Sequence, residues 1–199
     1  LVPWGGKGET PAYAATLWNS NEGGLDDRWS EVAMNARELR DLQSPLKQKY
    51  RDRPDEALIR AHAECRLDED VTCRVPGWGE DTVAGLHPAT GGDGSAACSA
   101  DMLLEALVAC AGVTLNSVAT HMGITMRDAV IRAEGRWDAR GTLGVSREAP
   151  VGLTDIELSF ELDADADDEA RARLIELTER YCVIYQTLRN PPEVRILGD

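Results

Sequence analysis

The most constraining feature of the sequence is an apolar segment near its middle that has the character of a buried helix. The run from Met102 to Leu115 is interrupted by one charged residue, Glu105. Ser99 offers an N-cap, the apolar pattern extends to about Met122, and Gly123 suits a left-handed C-cap. A helix that is apolar on every side must be covered on every side, which one small subunit cannot do. We therefore expect this helix at the centre of the fold or of a subunit interface, and a homodimer.

Charge and hydropathy argue against two classes of partner. The chain carries 35 acidic against 21 basic residues, a formal net charge of −14, which disfavours binding to nucleic acid. The apolar run is shorter than the roughly 20 residues that cross a bilayer, so no membrane span is predicted. No basic start with an apolar core and a cleavage site is found, and a cytoplasmic location is expected.

The beginning of the chain differs in character from the rest. Residues 1–33 contain two Gly pairs and three of the five Trp but no sustained period, and we expect a poorly structured leader. Met34 precedes a helical pattern and is a candidate for the natural start, which would make the leader non-native. Residues 34–56 form an N-terminal helical segment, with an amphipathic helix over Ala36–Tyr50 interrupted near Pro45. Residues 57–199 form the main domain.

The main domain mixes strand and helix patterns. Alternation of apolar and polar residues predicts strands, the first two joined as a hairpin by an acidic turn, at Ala57–Leu67, Val71–Val75, Ala129–Trp137 and Leu153–Leu162. Apolar residues from Leu174 to Leu188 recur at steps of three and four, which predicts one continuous helix. Pro191 and Pro192 end it, and Val194–Leu197 can form a last short strand. The fold class is therefore α+β.

Cysteine and histidine spacing gives no metal or cofactor site. The five cysteines, none in a C-x-x-C pair, are Cys65, Cys73, Cys98, Cys110 and Cys182. They are too scattered for a secreted disulfide scaffold, so free thiols in a reducing compartment are expected. The three histidines show no ligand spacing. We predict no metal and no cofactor.

Several motifs, in order and spacing, resemble the OsmC/Ohr family. They are the glycine run Gly91–Gly94, the segment Asp101–Cys110, Glu134–Gly135, Gly141–Val145 and the segment Glu179–Leu188. The resemblance covers roughly residues 57–197. It implies an OsmC-like fold in which antiparallel sheets surround buried central helices and two subunits swap strands.

The resemblance also implies a chemistry for two cysteines. In peroxidase members the first thiolate attacks an organic hydroperoxide, and the second cysteine closes a disulfide that a thiol reductant reopens. Cys110 matches the attacking residue and Cys182 the resolving one, with a role in the oxidative stress response. Two alternatives stay open: a non-catalytic protein that binds an apolar small molecule in the dimer cavity, and a thiol-based sensor. Cys65, Cys73 and Cys98 have no family counterpart and are expected to be inert.

One position departs from the family pattern. Peroxidase members carry a glutamate ten positions before the first cysteine, paired with an arginine, and here that position is Ala100. The neighbouring Asp101 is a candidate catalytic substitute, although a role in the first helical turn also explains it. Arg60 and Arg74 are candidate guanidinium partners. Without the glutamate, we expect the buried Cys110 to have a pKa at or above about 8.5 and to react slowly at neutral pH.

Overall fold

The computed structural model describes residues 34–77 and 79–198, which form an α+β fold. The predicted leader lies outside these residues. The elements in chain order are α1 (Ala36–Asp52), a 3-10 turn (Pro54–Ala57), β1 (Arg66–Leu67), β2 (Cys73–Val75), β3 (Thr82–Gly85), a second 3-10 turn (Pro88–Thr90), β4 (Ala97–Cys98), α2 (Ser99–Met122), β5 (Met126–Arg136), α3 (Ala139–Thr142), β6 (Asp155–Ala164), α4 (Asp168–Tyr181) and α5 (Val183–Arg189).

The apolar helix α2 exists as predicted, with one difference at its start. Cys98, not Ser99, occupies the N-cap position, and its side chain accepts no capping hydrogen bond. Gly123 ends the helix at φ 70°, where its N–H reaches the carbonyls of Ala119 and Thr120. This conformation favours glycine because it has no Cβ.

Only one face of α2 is buried within the protomer. The buried residues recur at every fourth position and are Leu107, Ala111, Leu115 and Ala119. Val113, on another face, is 74% exposed. One layer of strands and helices covers one stripe of a helix, so the described residues of one protomer do not supply the cover that the sequence requires on the other faces.

The buried stripe packs against the long hairpin and α4. Strands β5 and β6, both predicted, pair antiparallel with Ile131 opposite Phe160 and Ala133 opposite Leu158. Leu174 from α4 joins Leu115 and Ala119 in the core, and the partly buried side chains packed against them include Ile131 and Phe160. This contact fixes the middle of α2 between the β5–β6 hairpin and the C-terminal helices.

A second sheet leads into the start of α2. Its strand order is β1-β2-β3-β4, and β4 runs directly into the helix. The predicted hairpin is confirmed, because β1 and β2 pair antiparallel around the turn at Asp68–Asp70. β3 and β4 pair parallel, so the expectation of purely antiparallel sheets is wrong.

Two predicted strands are largely absent from the protomer. Of Ala57–Leu67 only Arg66–Leu67 is a strand, and Val194–Leu197 forms none. Leu58 is 85% exposed and Ile196 is 95% exposed. Strand propensity describes the fit of a side chain to a paired, half-buried surface, and apart from Arg66–Leu67 the described residues offer these segments no such surface.

Two helix boundaries also differ from the sequence pattern. α1 continues through Pro45, with a capping box between Asn35 and Glu38 at its start and a hydrogen bond from Gln48 to Asp52 near its end. The predicted continuous C-terminal helix is instead two helices, α4 and α5, separated at Cys182. Apolar residues continue to recur at steps of three and four across this break, so the helical period of the sequence does not reveal it.

By length and composition alone, α2 could cross a membrane. It has 24 residues and is longer than the apolar run that the sequence suggested. The core helix of a soluble protein passes the same test. Among the described residues, one stripe of α2 packs against the β5–β6 hairpin and α4.

The core contact of Leu174 gives a stability prediction. Leu174→Ala should lower the free energy of unfolding by about 3 kcal/mol, because it removes buried methyl groups and leaves a cavity. Urea denaturation at one fixed protein concentration measures the loss. Leu42→Ala, on the exposed helix α1, is the control and should cost less than about 1 kcal/mol. Equal losses in the two variants would contradict this assignment of the core.

Candidate active site

Cys110 lies midway along α2, beside its buried stripe. Leu107 and Ala111, one turn before it and one residue after it, are fully buried, and Cys110 itself is half-buried. The thiol is therefore held in a largely apolar setting, where burial opposes the formation of a thiolate.

Cys182 lies at the break between α4 and α5, where it is the C-cap of α4 and the N-cap of α5. Its N–H donates to the Thr178 carbonyl at 2.9 Å, and its own carbonyl accepts from the Gln186 N–H at 3.0 Å. Its Sγ accepts from the Tyr185 N–H at 3.5 Å, as an N-cap side chain does. The residue is 1% exposed and has an extended backbone, φ −73° and ψ 111°. This conformation turns the chain at the point where it passes Cys110.

The turn brings the two cysteines together and directs donors at Cys110. Burial raises the pKa of Cys110, but hydrogen bonds from the Ile184 N–H, the Cys182 thiol, the Val183 N–H and the Thr114 hydroxyl outweigh it and lower the pKa below its ordinary value. The expectation of a thiol at or above its ordinary pKa is therefore wrong. Backbone N–H groups at the start of a helix have no intrahelical partner, so they are free to stabilise a thiolate.

The contact between the two cysteines has the opposite effect on the pKa of Cys182. Burial raises the pKa of the Cys182 thiol, the Tyr185 N–H lowers it, and the neighbouring Cys110 raises it further, so that the result is a raised pKa. The two thiols therefore have different pKa values, and that of Cys110 is the lower. Cys110 is the first to ionise, and Cys182 stays protonated and donates its hydrogen bond to the Cys110 sulfur.

The structure does not bring Asp101 to this pair within a protomer. Asp101 lies in the first turn of α2, nine residues before Cys110 and about 14 Å from it along the helix axis. Arg74 forms an ion pair with Asp68 at 3.0 Å, and Arg60 lies in the exposed segment before β1. Ala100 lines a groove of about 580 Å³ with Leu103 and Trp137.

Sequence reasoning missed the groups that act on Cys110. Thr114 follows Cys110 by four residues, so the spacing places both on one face of the helix and could have identified it. The N–H groups of Val183 and Ile184 carry no side-chain signature. They could be found only by locating the helix break at Cys182, which no Gly or Pro marks.

An apolar groove begins at Thr114 and runs along α2 away from the thiols. It has a volume of about 590 Å³ and is lined by residues of α1, α2 and α4: Gln43, Lys47, Val113, Thr114, Ser117, Val118, His121, Met122, Leu177 and Tyr181. A groove of this size and character holds the apolar part of a small organic molecule. Its start at Thr114 places such a molecule next to Cys110.

Comparison with known proteins places the chain in a family. No curated protein sequence matches it. Its structure is similar to an OsmC-like protein from Mycoplasma pneumoniae, with 20% identity and a TM-score of 0.56, over 67% of this chain and 89% of that one. It is also similar to an OsmC-like protein of unknown function from Vibrio cholerae, with 11% identity and a TM-score of 0.54, over 65% of this chain and 94% of that one. The family model for OsmC-like proteins matches residues 92–197, more than half of the chain, and the chain therefore belongs to the OsmC-like family.

Proposed function

We propose that the protein is a cytoplasmic thiol-dependent peroxidase that reduces organic hydroperoxides through Cys110 and Cys182. The observation that carries this proposal is the turn at Cys182, which places its thiol in hydrogen-bond contact with Cys110 and directs the N–H groups of Val183 and Ile184 at the same sulfur. The lowered pKa of Cys110 and the raised pKa of Cys182 agree with an attacking and a resolving cysteine.

The reaction has two steps in the protein. The Cys110 thiolate attacks one oxygen of the hydroperoxide; an S–O bond forms, the O–O bond breaks, and the alcohol leaves after taking up a proton. The Cys182 sulfur then attacks the sulfenic acid of Cys110, the S–O bond breaks and water leaves, with a disulfide between the two residues. A thiol reductant supplies two electrons and two protons to restore both thiols.

The groups around Cys110 have separate tasks in this reaction. The N–H groups of Val183 and Ile184 and the Thr114 hydroxyl stabilise the thiolate without a charged partner, which replaces the effect of the missing glutamate and arginine. The groove that starts at Thr114 takes the organic part of the hydroperoxide. Its apolar lining favours alkyl and aryl hydroperoxides over hydrogen peroxide.

Thiol chemistry at the two cysteines tests the proposal. One equivalent of cumene hydroperoxide should join Cys110 and Cys182 in a disulfide, detected by peptide mapping after alkylation. Cys182→Ser should stop at a sulfenic acid on Cys110 that dimedone traps, because no resolving thiol follows. Cys98→Ser, at a half-buried cysteine outside the pair, is the matched control and should behave like the wild type. A dimedone-trapped sulfenic acid that forms on Cys182 in Cys110→Ser as fast as it forms on Cys110 in Cys182→Ser would contradict the roles.

A second function has its own supporting observation. The groove at Thr114 and the alanine at position 100 fit a non-catalytic protein that binds an apolar small molecule. In that case a large excess of hydroperoxide leaves both thiols free, while an apolar fluorescent probe still binds the groove. The same thiol measurement therefore separates the two functions.

The contact between Thr114 and Cys110 predicts a change in pH dependence. Because hydrogen bonds lower the pKa of Cys110, the rate of hydroperoxide reduction should reach half its maximum below the ordinary pKa of a cysteine thiol. Thr114→Val removes one donor at nearly constant volume and should shift this midpoint upward, which lowers the rate at pH 7 by up to about tenfold. Thr120→Val, a half-buried threonine on the same helix whose hydroxyl donates to the Asn116 carbonyl, should leave it unchanged. A midpoint that does not move in Thr114→Val would contradict the contact.

We further propose that the protein is a homodimer in which the partner covers the exposed faces of α2 and pairs with the segment at residues 194–197. This segment is exposed and apolar in part, and no strand among the described residues pairs with it. Pairing across a subunit interface would satisfy its backbone groups and cover its side chains.

A charge on the exposed face of α2 tests the dimer. Val113→Glu would place an unpaired carboxylate in the interface and should raise the dimer dissociation constant at least about 100-fold. Sedimentation equilibrium over a concentration series measures it. Val145→Glu is the control, because Val145 is 72% exposed but lies in the connection between α3 and β6. Equal effects in the two variants, or a wild-type monomer at micromolar concentration, would contradict the proposal.

A further inference from the structure

Two other cysteines, Cys65 and Cys73, lie together on the β1–β2 hairpin, outside the Cys110–Cys182 site. In this hairpin Leu67 is opposite Cys73 and Arg66 is opposite Arg74. Cys65 lies just before β1, two residues before Leu67, and is the diagonal neighbour of Cys73 in the register of the hairpin. The two thiols share a hydrogen bond, so both side chains lie on the same side of the hairpin.

Several contacts hold this register. The Asp68 N–H donates to the Thr72 carbonyl at 3.0 Å, and the Thr72 hydroxyl donates to the Glu69 carbonyl at 2.6 Å. The ion pair between Arg74 and Asp68 joins β2 to the turn at 3.0 Å. On its other side β2 pairs with β3, where Cys73 is opposite Ala84. Cys73 is thus fixed in place.

The two thiols differ in access. Cys65 is exposed, and Cys73 is half-buried. Burial raises the pKa of Cys73, and a hydrogen bond with the Cys65 thiol raises it further. Cys65 is therefore the thiol that a reagent from solution meets first, and Cys73 is the thiol next to it.

We propose that Cys65 and Cys73 form a second redox-active dithiol, which low-molecular-weight disulfides of the glutathione type oxidise to an internal disulfide. The Cys65 thiolate attacks one sulfur of the reagent, forming a mixed disulfide and releasing one reduced thiol. The Cys73 thiolate then attacks the Cys65 sulfur, which forms the internal disulfide and releases the second reduced thiol. Two electrons pass from the pair to the reagent, and the two protons of the pair leave with the released thiols.

The geometry makes this disulfide reversible. A diagonal pair on a hairpin is wider than an unstrained disulfide, so closing it requires movement of one backbone segment. Cys65 and the residues before it belong to no strand and are exposed, and that side of the pair can move. A strained, exposed disulfide is more easily reduced than a structural one. The pair therefore closes under oxidising conditions and reopens with reduced glutathione, and while closed it joins β1 covalently to β2.

Peptide mapping of the full chain tests the pair. Trypsin cleaves after Arg66, so an internal disulfide holds two separate peptides together. With oxidised glutathione the cross-linked peptide containing Cys65 and Cys73 should appear, and excess reduced glutathione should remove it. Because no hydroperoxide is used and each disulfide is mapped separately, the result is independent of the peroxidase proposal.

Single variants show the order of attack. Cys73→Ser should retain glutathione on Cys65, at a level at least about tenfold above the wild type, because no neighbouring thiol displaces it. Cys98→Ser should match the wild type. If Cys65 and Cys73 remain fully alkylated in excess oxidised glutathione, or if each carries its own glutathione without a cross-link, the proposal is overturned.

Discussion

The apolar surface of α2 must be shielded from water along the whole helix, and the rest of the structure depends on this requirement. One stripe of the helix packs against the β5–β6 hairpin and Leu174, and this contact sets the position of the C-terminal helices relative to Cys110. The described residues of the protomer leave the remaining apolar faces uncovered. The same property of the sequence therefore produces both the core that supports the site and the surface that the proposed dimer would bury.

The site itself depends on the break between α4 and α5. If the chain continued as one helix at Cys182, the N–H groups of Val183 and Ile184 would bond to carbonyls one turn earlier and could not act on Cys110. The extended conformation of Cys182 frees them, and its Sγ accepts the Tyr185 N–H in exchange. One residue thus provides the second thiol, caps α5 and directs donors at the first thiol.

Sequence reasoning found what is local and repeated, and it missed what depends on pairing or on the backbone. The extent of α2, its end at Gly123 and the strands β5 and β6 follow from periodicity and a cap. The strands expected at Ala57–Leu67 and Val194–Leu197 need pairing partners, which the described residues supply only for Arg66–Leu67. The closeness of Cys110 and Cys182 was implied by family resemblance alone, because residues so far apart in sequence meet only through the fold.

The position of Ala100 is then consistent with a functional thiol. In the family pattern, a carboxylate holds the arginine that activates the thiol. Burying these two charged groups costs desolvation free energy. Backbone N–H groups are neutral and are already held in place by the helix they begin, so they stabilise a thiolate at lower cost. They also stabilise the thiolate without a carboxylate buried beside it, in a chain whose net charge is already −14. The geometry of Cys182, Val183 and Ile184, together with the Thr114 hydroxyl, can therefore take the place of the glutamate.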